Sequence, residues 1–217
     1  MRTVTVDEMR ELEKRACAAQ GITAYELMEK AGKAVADEAE KMLKGKKKVS
    51  ILIGPGQNGG DGLVAARLLK ERGYDVTGFI IGGIRDVKSN AWINMDKFVR
   101  MKGAVVECKD LEGFKRSSCA FNNADLIIDA IFGIGLDRAL ESPYREIIPI
   151  INSAGKLILS VDVPSGIHAD SGRLMGTAIM ANKTITFAAV KEGLVRDQGL
   201  IHAGKVVVGD IGILVEG

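Results

Sequence analysis

Three short stretches carry residues whose types and spacing could do chemistry. Residues 54–62 read GPGQNGGDG, five glycines in nine positions. Gly54, Gly56 and Gly59 satisfy G-x-G-x-x-G between an apolar run (VSILIG, 49–54) and a helical pattern (DGLVAARLLKERG, 61–73). Such a turn offers backbone N–H groups at a helix N-terminus to phosphate-like or polar groups. The remainder of a dinucleotide fingerprint is missing. The second strand ends in GFIIGG, with no acid to hold a ribose until Asp86, and no Gly-Lys-Ser/Thr follows to make a P-loop. Asn58 and Asp61 stand where a plain phosphate cradle needs no side chains. Each also has a plainer reading, Asn58 as a turn residue tolerant of positive φ and Asp61 as a helix N-cap.

The other two stretches hold acids inside apolar runs. Asp129 interrupts LIIDAIF, and Asp162 lies in LILSVDVPSG. Burying a carboxylate costs several kcal/mol unless it is paired or bound to a cation. The bland alternative is that each caps the amides of a neighbouring loop. Ser165, three residues beyond Asp162, adds another oxygen. Oxygen donors without His or Cys suit a hard alkali or alkaline-earth ion.

Positioning these residues requires a regular scaffold, and the patterning supplies one. Met9, Leu12, Ala16 and Ala19 predict a helix over 8–20, and Thr23 with Glu26 forms a capping box opening a second helix to about Leu43. Strands are expected at 49–54, 74–82, 104–108, 124–133, 156–166, 184–188 and 205–213. Helices are expected at 61–73, 87–103, 111–121 (weak) and 142–155, the last with Pro143 in its first turn. Alternation of helices with continuously apolar strands predicts an α/β fold: a doubly wound, mostly parallel, Rossmann-like sheet with helices on both faces and two extra N-terminal helices. One domain over 1–217 is the simplest reading, and a further domain in a longer parent stays open. In such sheets ligands bind beyond the carboxyl ends of the strands, at a topological switch point. The three chemical stretches all follow apolar runs and would meet there.

Composition narrows the classes. Hydrophobic residues make up 47% and charged residues 27% of 217, close to an average globular chain. A net charge of +2 without a basic stripe, and 5% aromatic residues, argue against nucleic acid as a partner. KGKKK at 44–48 reads as a solvated turn. Cys17, Cys108 and Cys119 are odd in number and, with His168 and His202, match no zinc spacing. The N-terminal MRTVTVDEMRE lacks the apolar core of a signal peptide, and no apolar run approaches the ~20 residues of a membrane span. A cytoplasmic protein with no membrane partner is expected.

GPGQNGGDGLVAARLL, DAIFGIGL and SVDVPSGIHADSG, in this order and spacing, resemble the NAD(P)H-hydrate epimerase family, the YjeF N-terminal domain. GITAYELMEKAG, TITFAAVKEGL and VVVGDIGI extend the resemblance to roughly residues 5–213. It implies an isomerase that interconverts the R and S epimers of hydrated NADH or NADPH, so that an S-specific, ADP- or ATP-dependent hydrate dehydratase can repair both. It implies a potassium ion (K+) held by Asn58, Asp129 and Ser165. Substrate would contact Gln57, Asn58, Gly59, Gly60 and Asp61, the loop Gly133, Ile134, Gly135, Leu136, Asp137, Arg138 and Ala139, and Asp162. Gln57 stands where the family usually has the first of two asparagines. It keeps the amide and adds a methylene. Lys191 also matches a family position, as a phosphate partner or a surface lysine.

The implied chemistry concerns a hydroxyl beside a ring nitrogen, a hemiaminal. An acid protonates the leaving hydroxyl, the nitrogen lone pair expels it, and water adds to the other face. Ring opening and reclosure is the alternative route. With Asp129 committed to the cation, Asp162 is the expected catalytic acid/base. Family members commonly form homodimers. The Leu27, Met28 and Ala31 face could serve that contact or pack against the sheet. Two other readings compete: an ordinary NAD-dependent oxidoreductase, which the missing ribose acid disfavours, and a non-catalytic scaffold or dimerisation module of this fold binding nucleotide or RNA. Such a scaffold would be expected to lose the acids and glycines that are intact here.

Overall fold

A computed structural model describes residues 2–87 and 89–213, apart from the side chains of Asp86, Ser89, Cys119 and Ala120. Lys88, inside the helix expected over 87–103, and the Cys119 side chain therefore lie outside the described residues. The first half of the chain runs β1 (Thr3–Val4), α1 (Val6–Gln20), α2 (Ala24–Leu43), β2 (Lys48–Ile53), α3 (Gln57–Glu71), β3 (Asp75–Ile81), α4 (Ser89–Arg100) and β4 (Ala104–Cys108). The second half runs α5 (Leu111–Arg116), α6 (Ser118–Asn122), β5 (Leu126–Ala130), α7 (Tyr144–Ser153), β6 (Leu157–Val161), β7 (Lys183–Phe187), β8 (Val190–Lys191), α8 (Gly199–His202) and β9 (Lys205–Gly209).

The apolar runs become strands covered on both faces. In β2, Ile51 and Ile53 join one core and Leu52 the other, and β5 alternates in the same way with Ile128 against Ile127. Side chains of α2, α3 and α4, including Val35, Leu63, Leu69 and Phe98, fill the first core. Those of α5, α6 and α7, including Phe114, Phe121 and Ile151, fill the second. The main sheet has the order β4-β3-β2-β5-β6-β7-β9, and every neighbouring pair is parallel. The chain winds outward from β2 through β3 to β4, then restarts at β5 on the other side of β2. The carboxyl ends of β2 and β5 are thus the switch point.

Several boundaries differ from the sequence reading. The helix expected from Asp61 begins at Gln57, with Gly56 as its N-cap, so most of the glycine stretch is helical. Asp61 is therefore not a cap. Low helix propensity is overridden by close packing: a Cβ on Gly59 would lie 2.0 Å from the Gly54 carbonyl oxygen, and one on Gly60 2.4 Å from Met28 Cε. The weak helix over 111–121 is two short ones that meet at Ser117. The strand expected to Gly166 ends at Val161, and that expected to Ile213 ends at Gly209. Pro143 caps α7.

The two leading helices are present, and both open with capping boxes, Thr5–Glu8 and Thr23–Glu26. Met28 and Ala31 are buried within the chain and Leu27 packs on the same core, so of the two roles for that face it is internal packing. A two-stranded parallel pair, β1 with β8, has no counterpart in the sequence reading. It ties the start of α1 to the segment carrying Lys191.

Candidate active site

A cleft of about 500 Å³ opens at the switch point. Its wall is built from the start of α3 (Gly56, Gln57, Asn58, Asp61), the loop after β5 (Ile131 to Leu136), Asp162 after β6, and Phe187 and Lys191 around β7 and β8. Arg10 and Glu13 of α1 complete it. Gly56 being the N-cap, the amides of Gln57, Asn58 and Gly59 fall in the first turn, where no intrahelical acceptor exists. Of these, the amides of Gln57 and Asn58 belong to residues lining the cleft and can meet an anion.

Asp162 is held from three sides. Its Oδ1 forms an ion pair with Lys191 Nζ at 2.8 Å and accepts from Thr186 Oγ1 at 3.2 Å. Its Oδ2 accepts a long 3.3 Å bond from the Ile134 amide. Lys191 is only 1% exposed and also donates to the Phe187 carbonyl at 2.9 Å, so it is not a surface lysine. The backbone is bent to make this pair. Asp162 (φ 65°) and Ala188 (φ 60°) sit at the centres of γ-turns closed by Val163 N→Val161 O and Ala189 N→Phe187 O. This positive-φ turn is rare and strained, a kind of strain that concentrates at functional sites.

Asp129 is also sealed, but its carboxylate is fully answered by its own chain. Oδ1 accepts from Ser165 Oγ at 2.6 Å and from the Ile131 amide at 3.3 Å. Oδ2 accepts from Ser160 Oγ at 2.8 Å and the Ser165 amide at 2.9 Å. Burial raises its pKa, while the Ser165, Ser160 and Ile131 hydrogen bonds pull the other way. Ser165 Oγ in turn accepts from the Phe132 amide at 2.9 Å. Asp129 and Ser165 therefore clamp the loops after β5 and β6 together beneath the cleft, and neither is among the residues lining it.

Asn58 presents the opposite case. It is 8% exposed, yet among the described residues neither its Oδ1 nor its Nδ2 has a hydrogen-bond partner. Leaving a buried polar group unpaired costs about 1–3 kcal/mol, so an orphaned amide in a cleft points to a ligand. A Cβ built on Gly133 would lie 3.0 Å from Asn58 Oδ1 and 3.1 Å from Asp162 Oδ2. The two oxygens thus flank one bare Cα, and a side chain there would crowd both. An amide, a carboxylate and a hydroxyl (Asn58, Asp129, Ser165) gather at one end of the sheet. Oxygen donors of these kinds suit a hard cation, with the orphaned Asn58 oxygen as the donor left unused by the described residues.

Electrostatics set the acids apart. Burial raises the Asp61 pKa well above the ordinary aspartate value, and the Asp162 and Glu13 charges raise it further, with Lys191 opposing. Glu13 is raised by burial and then by Asp162, against Lys191 and Arg10. Asp61 keeps some accessible surface in the cleft and takes no hydrogen bond or ion pair from any described residue.

Of the residues singled out from the sequence, Gln57, Asn58, Asp61, Gly133, Ile134, Gly135, Leu136 and Asp162 line one cleft. Gly59 and Gly60 are buried behind it, against Gly54 and Met28. Asp137, Arg138 and Ala139 are exposed and lie outside it. Asp137 instead borders a second cavity with His168, Ser171, Arg173 and Met175. Arg10 and Glu13 escaped sequence reading. Their i, i+3 spacing is the only trace of a shared face, and it resembles any solvated helix.

A doubly wound parallel sheet with a polar cleft at its switch point places the chain among the Rossmann-like α/β domains. Residues 24–193 match the family described as YjeF-related protein N-terminus, and the chain belongs to that family. It is 37% identical over 207 residues to the "NAD(P)H-hydrate epimerase" of Limosilactobacillus fermentum, covering 95% of both chains. It is 38% identical over 216 residues to the "Bifunctional NAD(P)H-hydrate repair enzyme Nnr" of Moorella thermoacetica, covering 98% of this chain but 41% of that protein. It therefore spans about two fifths of the bifunctional relatives it matches. The crystal structure of yeast ynu0 superimposes with a TM-score of 0.79 at 26% identity, over 96% of this chain and 87% of the other.

Proposed function

We propose that the chain is an NAD(P)H-hydrate epimerase, an isomerase that exchanges the R and S forms of hydrated NADH and NADPH. The observation that carries the reading is the pairing of an orphaned Asn58 amide with an anchored Asp162 carboxylate on either side of Gly133, inside a cleft walled by free helix amides. Relatives named for this activity and covered almost end to end support it. The amides of Gln57 and Asn58 suit the pyrophosphate. The ring would lie near Gly133, where a side chain would crowd Asn58 and Asp162.

Asp162 acts as the acid/base group on the hydroxyl-bearing carbon. Its ion pair with Lys191 and the Ile134 amide fix the carboxylate, an orientation that sets how well a proton can be passed. A potassium ion would be held by Asn58 with Asp129 and Ser165, and when bound it supplies positive charge that orders the loops around the ligand. The same reading takes the chain as a cytoplasmic homodimer working beside a hydrate dehydratase. Sedimentation at the mass of one chain would remove the dimer. Among the described residues no helix is long and apolar enough to cross a membrane.

Starting from one pure epimer, the protein should produce the other faster than the spontaneous reaction. Asp162→Asn should lose about 10²–10⁴-fold of that exchange, the usual worth of an acid/base group. Undiminished exchange in the variant would remove Asp162 from the mechanism.

A further inference from the structure

The cleft holds more carboxylates than one acid/base step uses. Asp162 is matched by Lys191 at 2.8 Å. Asp61 lies one helical turn beyond Asn58 on the same cleft-facing side of α3 and, among the described residues, has no ion-pair partner or hydrogen bond. The charged groups that face it are Glu13 and Arg10 from α1, Asp162 after β6, and Lys191 from β8. Two carboxyl groups in such unequal settings are the pattern by which one site keeps an acid and a base at the same pH.

We propose that Asp61 is a second catalytic residue of this cleft, giving a proton to the departing hydroxyl while Asp162 takes one from the incoming water. The proposal rests on the epimerase reading. The step balances as follows. The Asp61 O–H protonates the hydroxyl on the hydrated carbon, the C–O bond breaks, and water leaves as the ring nitrogen lone pair forms a C=N bond. A second water adds through oxygen to the opposite face, the C=N electron pair returns to nitrogen, and the Asp162 carboxylate receives the released proton. One proton has passed from Asp61 to Asp162. A turnover in the reverse sense, or exchange with solvent, restores it. The direction of the Asp61 shift agrees, since burial first, then crowding by Asp162 and Glu13, favours its protonated form against the pull of Lys191.

The test is epimer exchange by purified wild type, D61N and D61E across pH, with NADPH affinity measured alongside. Asp61 must be protonated to act, so wild-type exchange should decline as pH rises through its elevated pKa. D61N should lose about 10²–10⁴-fold in rate, keep NADPH affinity, and show no alkaline decline in what remains. D61N exchanging like wild type, or retaining the alkaline decline, overturns the proposal. Should D61N not fold, D61E decides: an alkaline limb displaced from that of wild type supports the role, and an unmoved limb overturns it. A wild-type chain that exchanges no epimers contradicts the epimerase reading itself, a failure distinct from an active wild type beside an equally active D61N.

Discussion

A carboxylate sealed from water needs donors within reach, and Asp129 finds four of them in Ser165 (twice), Ser160 and Ile131. Replacing it with Asn would turn an amide N–H₂ toward the donors that now meet one carboxylate oxygen; Ser165 Oγ could fall back on the Phe132 carbonyl at 3.2 Å, while the amide donors lose their acceptor. Asp129→Asn should therefore lose about 2–4 kcal/mol of stability, read as a lowered midpoint in urea at unchanged slope. A loss under about 0.5 kcal/mol would contradict the clamp. Asp162 looks the same in sequence, an acid in a greasy strand end, and is used differently: it faces the cleft and leans on a buried lysine. That both acids matter was legible from LIIDAIF and LILSVDVPSG, because a charge in an apolar run has few explanations. Which acid clamps and which faces ligand was not. The deciding partners, Ser160, Ser165 and Lys191, come from other segments and are brought in by folding.

At the scale of elements, the glycines of 54–62 turn out to serve the protein as much as any ligand. Gly54 lies against Ile131, Gly59 against Gly54, and Gly62 against Ala130. These contacts press α3 down onto β2 and β5 and so bring its amides to the cleft floor. Gly59→Ala should cost at least about 2 kcal/mol, since the new methyl meets backbone that cannot swing aside. Gly56→Ala, with nothing within 4 Å of the added carbon, should stay within about 1 kcal/mol of wild type. Equal losses at the two positions would refute this division of labour. The alternation of strands and helices could be read from hydrophobic pattern alone. The early start of α3 could not, because glycine propensity argues for a loop and only tertiary packing reverses it. The β1–β8 pair was invisible for another reason: two-residue strands carry no periodicity.

For the molecule as a whole, the winding order fixes where function resides. Because β5 returns to the far side of β2, two loops diverge and leave a crevice at the carboxyl ends. The sequence placed its chemical stretches there correctly. It did not show that α1 closes the crevice with Arg10 and Glu13, which follows from anchoring the chain start to β8. The central claim is that this single cleft holds the nucleotide at the α3 amides and the hydrated ring beside Asp61 and Asp162, with a monovalent ion at Asn58. A crystal grown in potassium and soaked with the hydrated dinucleotide tests it most directly. The account predicts pyrophosphate density at Gln57 and Asn58, the ring carbon's hydroxyl within hydrogen-bond reach of the two aspartates, and an ion on Asn58 Oδ1. Dinucleotide bound elsewhere, for instance only in the cavity beside His168 and Arg173, with the cleft empty, would contradict it.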